Sequence, residues 1–318
     1  MSFRIAFLGE ALIDFTAMPG ADLRFQGHVG GALLNGAVAA ARLGAAVGYL
    51  TQLSTDLFGE RLLAHLQANG IATEFVLRSA APSTLAFVER TAQTNRYAFS
   101  MQGTADTLWA PDPLPGLPES CRWLHYGSNL LTREPAGRRV LDFVRAQRGQ
   151  RLRVFDPNAR PGLIEDLAAW RARCAACIAE CELLKLSDED CALLAPEHSP
   201  QAAAQTWLRA GPVAVLLTRG ADGATLYRSG QVPLAVRPPP VQVVDTIGAG
   251  DTFGAALSVA LQDQGVDSAA ALATLPGPAW AAVLRFAATA AALNCAREGA
   301  DPPHREAVEA LQQQAATA

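Results

Sequence analysis

The stretch "DTIGAGDTFGAAL", residues 245–257, decides how this chain is read. Its "GAG" at 248–250 makes a turn, and Phe253, Ala256, Leu257, Ala260 and Leu261 then recur at helical spacing up to Gly265. The preceding "VQVV", residues 241–244, reads as the end of a strand. The turn therefore sits at a helix N-terminus. Unpaired backbone N–H groups and the helix dipole favour an anion there, and glycine lets the backbone approach it closely. Asp251 falls in the first turn of that helix. A carboxylate there suits capping or the helix dipole. It equally suits a general base that takes a proton from a hydroxyl while neighbouring N–H groups hold phosphoryl oxygens.

Outward from that stretch, short apolar runs alternate with helical patterns. "RIAFL" at 4–8, "AVGYL" at 46–50, "WLHY" at 123–126, "RVF" at 153–155, "LLKL" at 183–186 and "VAVLL" at 213–217 read as strands. Between them, helical patterns stop at Gly44, Gly70 and Gly149, where a C-cap glycine belongs. Such alternation predicts an α/β fold with parallel strands and helices on both faces, and ligands at the carboxyl ends of the strands. Two regions break the pattern: "DLRFQGHV" at 22–29, and 83–103, which reads as two strands joined by a polar turn. They predict a small β element, in segments of about 15–30 and 83–105, inserted into a single domain spanning 1–318. Too small for a core of its own, it should pack on the body, cover a site or pair with a second copy.

Composition narrows the functions. The chain has 318 residues, half of them hydrophobic, and a net charge of −4 with no long basic block, so nucleic acid is not an expected partner. The N-terminal apolar run is too short for a signal peptide, which leads to an expectation of a cytoplasmic protein. Residues 280–296 are apolar but contain Arg285, and the expectation is a buried helix rather than a membrane span. Cys174, Cys177 and Cys181 share one helical face with no second ligand pair at zinc-finger distance, so they read as core cysteines. No GxxxxGK[ST] loop occurs, and no GxGxxG follows the first strand.

At this point the chain resembles the ribokinase-like sugar kinases, the phosphofructokinase-B type. "DTIGAGDTFGAAL" looks like their C-terminal signature and "GGALLNGAVAAARLG" at 30–44 like their N-terminal one. "GEALIDF" at 9–15, "DPNARPGL" at 156–163, "LKLSDEDCALL" at 184–194, "LLTRGADGATLY" at 216–227 and "LRFAATAAALNCAREGA" at 284–300 follow in the family's order. The resemblance implies a three-layer α/β/α sandwich with a small inserted β lid. It implies an ATP-dependent kinase that uses Mg2+, with K+ as a further candidate; the unsupported length of the inserted strands predicts a homodimer formed through the lid.

Carried over residue by residue, the resemblance makes Asp251 the base and Gly248, Ala249 and Gly250 the anion hole. Asp14, Asn35 and Asn158 would meet sugar hydroxyls, with Gly30 and Gly31 admitting the sugar. Alone, Asp14 suits a turn equally well. Arg160 would face the transferred phosphate, its planar fork matching phosphate oxygens, although a lone Arg also suits a surface ion pair. Lys185, Ser187, Thr218, Gly220, Gly223 and Ala288 would border the nucleotide. Asp190 would support magnesium through water, at a position where many members carry Glu. Asp245, with carbonyls of Ile247, Asn294, Arg297 and Gly299, would take the monovalent cation.

Among these kinases, "LHYGSNLLTREPAGR" at 124–138 and "YAFSMQGTADTLW" at 97–109 look most like fructokinases. Those often carry Arg-Asn where this chain has Met101 and Gln102, which leaves Gln102 as a polar sugar contact. The lost cation argues against an acidic sugar. The expected product is fructose 6-phosphate. The alternatives are a kinase for 2-keto-3-deoxygluconate, ribose or a nucleoside, and a non-catalytic sugar sensor on the same fold.

Overall fold

A run such as "IAFL" lacks the polar alternation of a one-sided strand, so both of its faces must be covered. The computed structural model, which describes residues 2–18, 20, 23–90 and 95–317, shows how this is done. The chain opens with β1 (Ile5–Leu8), β2 (Leu12–Ala17), β3 (Phe25–Gly30), α1 (Ala32–Arg42), β4 (Val47–Ser54), α2 (Leu57–Ala68) and β5 (Val76–Ser79). It continues with β6 (Leu85–Arg90), β7 (Asn95–Ser100), β8 (Trp123–Gly127), α3 (Ala136–Ala146), β9 (Leu152–Asp156), α4 (Leu167–Ile178) and β10 (Leu183–Ser187). Then come α5 (Asp188–Leu194), α6 (Pro200–Ala210), β11 (Ala214–Thr218), β12 (Ala224–Arg228) and β13 (Leu234–Val236). The last helices are α7 (Ala249–Asp263), α8 (Ala269–Thr274), α9 (Gly277–Cys295) and α10 (Arg305–Thr317).

The main sheet has nine strands in the order β13-β12-β11-β10-β9-β8-β1-β4-β5. Pairing is parallel from β11 through β5 and antiparallel only for β12 and β13 at the edge. Alternate side chains feed separate cores. Ile5 and Phe7 pack with α1, α7 and α9, whereas Ala6 and Leu8 pack with α3 and α4. This period of two, with helices on both faces, produces the three-layer α/β/α sandwich. Cys174, Cys177 and Cys181 are all buried in the second core, although Cys181 lies past the end of α4 in the turn before β10. Among the described residues no helix is long and apolar enough to cross a membrane.

The expected strand at 241–244 does not form; Val243 is 61% and Val244 58% exposed. Pro238, Pro239 and Pro240 follow β13 and carry no N–H to donate, so the ladder stops before it reaches "VQVV".

The inserted β element is a separate four-stranded sheet in the order β3-β2-β6-β7. It starts earlier than expected, at Leu12, so Asp14 lies within a strand rather than in a turn. Residues 19, 21 and 22, and residues 91–94 where the polar turn is expected, lie outside the described residues. Phe15 stacks on Phe87 across β2 and β6 at 5.2 Å and meets Phe58 of α2 edge-on at 5.7 Å, which fastens the lid to the body.

The roots of the second lid hairpin are pinned by two carboxylates. Asp106 Oδ1 accepts from Thr84 Oγ1 (2.6 Å), Thr104 Oγ1 (2.7 Å) and Thr107 N (3.0 Å), all buried. Asp56 caps α2 and also accepts from Ser83 N at 2.9 Å. Truncating Asp106 strands several buried donors at once. Asp106→Ala is therefore expected to lower stability by about 2–4 kcal/mol in urea unfolding and to speed proteolysis within the lid; a loss below about 0.5 kcal/mol would show that the hub is not structural.

Candidate active site

The loops at the carboxyl ends of β1, β8, β9, β10 and β11 meet at one cavity of about 530 Å³. Glu10 follows β1, Ser128 and Asn129 follow β8, Asn158 and Arg160 follow β9, Ser187 ends β10 and Thr218 ends β11. The lid supplies Asp14, Val88 and Phe99, and α7 supplies Gly250 and Asp251.

Two glycines let the helices start where the cavity needs them. Gly31 precedes α1 at φ +114°, and a Cβ there would sit 2.7 Å from the Glu10 carbonyl oxygen. Gly248 caps α7 in the left-handed conformation, φ 75°. Gly30 has a different use: a Cβ there would collide with the Asp14 carboxylate.

Asp251 lies on the first turn of α7, and two amides hold it. Asn35, on α1, donates from Nδ2 to Asp251 Oδ2, and Asn158 donates from Nδ2 to Oδ1, each at 3.0 Å. Arg160 extends the chain by donating to Asn158 Oδ1 at 2.6 Å. Asn158 is a non-glycine residue at φ 38°, a costly conformation kept where a side chain must be aimed. Burial pushes the Asp251 carboxyl above its ordinary range, opposed by the Lys185 ammonium, the Asn35 amide and the Arg160 guanidinium. The carboxyl therefore gains basicity without losing its supporting donors.

Lys185 is buried and pairs with Asp156 at 2.6 Å. Burial works against its charge, but Asp156, Asp251 and Asp190 together hold its pKa above the usual value. Its Nζ would lie 3.2 Å from a Cβ on Gly250, so a fixed cation stands beside the anion turn. Burial pushes Asp14 up to about 6 against the opposing charges of Arg160 and His28.

Several expected contacts have other roles. Gln102 is exposed and does not line the cavity, because Met101 turns inward and is buried. Gly223 stands at φ 86° where a Cβ would overlap the Val236 carbonyl oxygen, so it serves the packing of β13; neither it nor Gly220 lines the cavity. Ala288 is buried in the core on α9. Ser187 and Asp190 form a capping box on α5, and Asp190 Oδ1 also accepts from Ala159 N at 2.7 Å. Asp190 thus fixes the Asn158 loop with both oxygens engaged, and it also lines the cavity.

Asp245 accepts from Ile247 N and Gly299 N, each at 3.1 Å. The Ile247 carbonyl accepts from Asn294 Nδ2 at 2.7 Å, and Arg297 pairs with Asp301. These contacts fasten the 245–248 loop to the end of α9.

Glu10, Ser128 and Asn129 were not assigned a site role from sequence. The signal for Glu10 was a lone acid in an apolar segment, since a buried carboxylate requires a partner. Glu10 Oε1 accepts from Ala32 N and Ser128 Oγ, both at 2.9 Å, and burial pushes the carboxyl up to about 7.

Comparison with known proteins agrees with this geometry. A family model described as "pfkB family carbohydrate kinase" matches residues 2–307. The chain is 35% identical to the fructokinase of Rhizobium leguminosarum bv. trifolii over 80% of this chain and 78% of that protein. It is 32% identical to the fructokinase of Solanum tuberosum over 96% and 94%. Among solved structures, fructokinase with bound ATP from Xylella fastidiosa superposes with a TM-score of 0.91 at 28% identity, over 99% of this chain and 100% of that one.

The buried carboxyls predict a pH profile. Glu10 (about 7) and Asp14 (about 6) bind a proton more tightly folded than unfolded, so their stabilising contribution is complete below pH 4 and is lost as pH rises through 6 to 7. The melting temperature should rise from pH 8 to pH 6, and Glu10→Gln should remove about 1 kcal/mol of that gain. Identical profiles for the two proteins would contradict the burial of Glu10 as an acid.

Proposed function

Because the chain belongs to the pfkB family of carbohydrate kinases, we propose that it transfers the γ-phosphoryl group of ATP to the hydroxymethyl group of D-fructose, giving fructose 6-phosphate. The observation that carries this reading is the Asp251 carboxylate, half-buried on the first turn of α7 and held between Asn35 and Asn158. The fructokinase relatives support the sugar, and the ATP-bound neighbour supports the donor. A bare sugar sensor would have no use for a half-buried base beside an anion turn. The similarity to fructokinases disfavours ketodeoxygluconate, ribose and nucleosides.

In the proposed reaction, the sugar lies under the lid with Asp14 and Asn35 accepting and donating to its hydroxyls. Asp251 takes the proton of the attacking hydroxyl as that oxygen bonds to the γ-phosphorus and the bond to ADP breaks. The N–H groups at 248–250 receive the charge on the phosphoryl oxygens, with Lys185 and Arg160 on either side. Lid strands exclude water, which would otherwise compete as acceptor.

Magnesium fits the cavity mouth, where Glu189 and Ser187 offer the oxygen ligands that a hard cation or its waters require. When bound, the ion would neutralise charge on the ATP phosphates. No potassium requirement is proposed, because the Asp245 carboxylate and the Ile247 carbonyl are occupied by backbone and amide donors. The reading further includes one functional domain over the whole chain, action in the cytoplasm where ATP is present, and a homodimer through the lid. Leu23 (93% exposed), Met18 and Phe25 on the lid are the exposed apolar groups that support the dimer.

A coupled ATP assay against fructose, ribose, adenosine and ketodeoxygluconate should show turnover with fructose above the others; turnover with none of them would refute the kinase reading. Asp251→Asn should lower kcat by roughly 10²-fold or more with little change in sugar affinity by calorimetry, and near-wild-type kcat would rule out the base. Sedimentation at micromolar concentration should show a dimer that Leu23→Glu and Phe25→Glu together dissociate. A wild-type monomer would remove the dimer from the proposal.

A further inference from the structure

The cavity floor holds two buried acceptors that nothing in the protein satisfies. Glu10 is 1% exposed, and its Oε2, unlike Oε1, has no hydrogen-bond partner among the described residues. Asn129 is 7% exposed, and its side-chain oxygen is likewise unpartnered. Both residues line the same cavity as Asp14 and Asp251. They sit at the carboxyl ends of β1 and β8, adjacent strands from which the chain proceeds to opposite sides of the sheet, where ligands of such folds collect.

The surrounding geometry is fixed rather than adaptable. Glu10 Oε1 is held by the first N–H of α1 and by Ser128 Oγ, and Ser128 itself stands at φ 56°, a strained conformation for a residue with a Cβ. Tyr49 donates to the Glu10 carbonyl oxygen at 2.6 Å. Turning the carboxylate toward another donor would break the bonds to Oε1, and leaving a buried acceptor unmet is unfavourable. A ligand that donates there removes that penalty; one that brings a carboxylate or phosphate adds repulsion from Glu10.

We propose that Glu10 and Asn129 form a hydroxyl-holding subsite that specifies a second hydroxyl of the sugar, distinct from the one facing Asp251. The subsite rests on the sugar-kinase reading above. It selects neutral polyhydroxy substrates that carry a hydroxyl at that position, and it excludes analogues that are deoxygenated or acidic there.

The test uses the full-length protein at pH 8, where Glu10 is ionised. Turnover of fructose by the wild type is measured first, so that failure of the kinase reading is recognised separately. Glu10→Gln keeps an oxygen for Ala32 N–H and Ser128 and replaces the unmet acceptor by a donor. Its fructose KM should rise at least tenfold while the KM for ATP stays within twofold. With 1-deoxy-, 3-deoxy- and 4-deoxyfructose, the wild type should lose affinity for one analogue in particular, and for that analogue wild type and variant should agree within twofold. Asn129→Ala should show the same convergence on the same analogue and serves alone if Glu10→Gln does not fold. A fructose KM within twofold of wild type in both variants would overturn the proposal, as would an equal penalty on fructose and every analogue.

Discussion

Keeping the half-buried Asp251 carboxylate charged at the edge of the cavity is the constraint on which the site depends. Burial alone would favour its protonated form, and a proton already on the carboxyl would leave it unable to accept another. The fold answers with donors drawn from separate layers: Asn35 on a helix of one face, Asn158 at the end of a central strand, and the charge of Lys185 from the next strand. Each donor needs its own support. Asn158 is aimed by a left-handed backbone that Asp190 braces through Ala159, and Lys185 is kept charged by Asp156. The central sheet brings Asn158 and Lys185 together on the adjacent strands β9 and β10, while Asn35 arrives on α1 directly after lid strand β3.

Much of the framework was legible because hydrophobic period and glycine punctuation act locally. The strands near 5, 47, 123, 152, 183 and 214 and the helix starting after Gly248 follow from side-chain pattern alone. In the site, the convergence of Asp251, Asn35, Asn158 and Lys185 on one cavity was legible from residue type and motif order. A role was not legible where it depends on which neighbour arrives through space. That Asp190 would also brace the Asn158 loop, and that Gly223 would also sit against β13, are contacts set by the fold and not by the motif. Asp106, part of the "AD" pair that resembles fructokinases, is a buried fastening for the lid and is not among the residues lining the site cavity.

Glu10 shows the converse case. Its sequence context gives no catalytic pattern, and only burial and an unmet oxygen distinguish it. Hydrogen-bond accounting in the folded state singles it out only together with its place: Asp156 also has one oxygen met, by Lys185, and one unmet, but Glu10 lines the cavity and Asp156 does not. The same accounting leaves the thiols silent: the buried cysteines of α4 and its following turn are held in apolar surroundings that keep them protonated.

The lid is joined to the body with very little slack. β3 ends at Gly30 and α1 begins at Ala32, so a single residue, Gly31, separates the cover from the helix that carries Asn35. On the next lid strand, Asp14 is paired across from His28 of β3. Tilting the lid sheet therefore acts as a lever on α1, with Gly31 as fulcrum and the Asn35 amide on the short arm. In the proposed reaction, the seating of the sugar beneath the cover and the orientation of the Asp251 carboxylate are mechanically one coordinate.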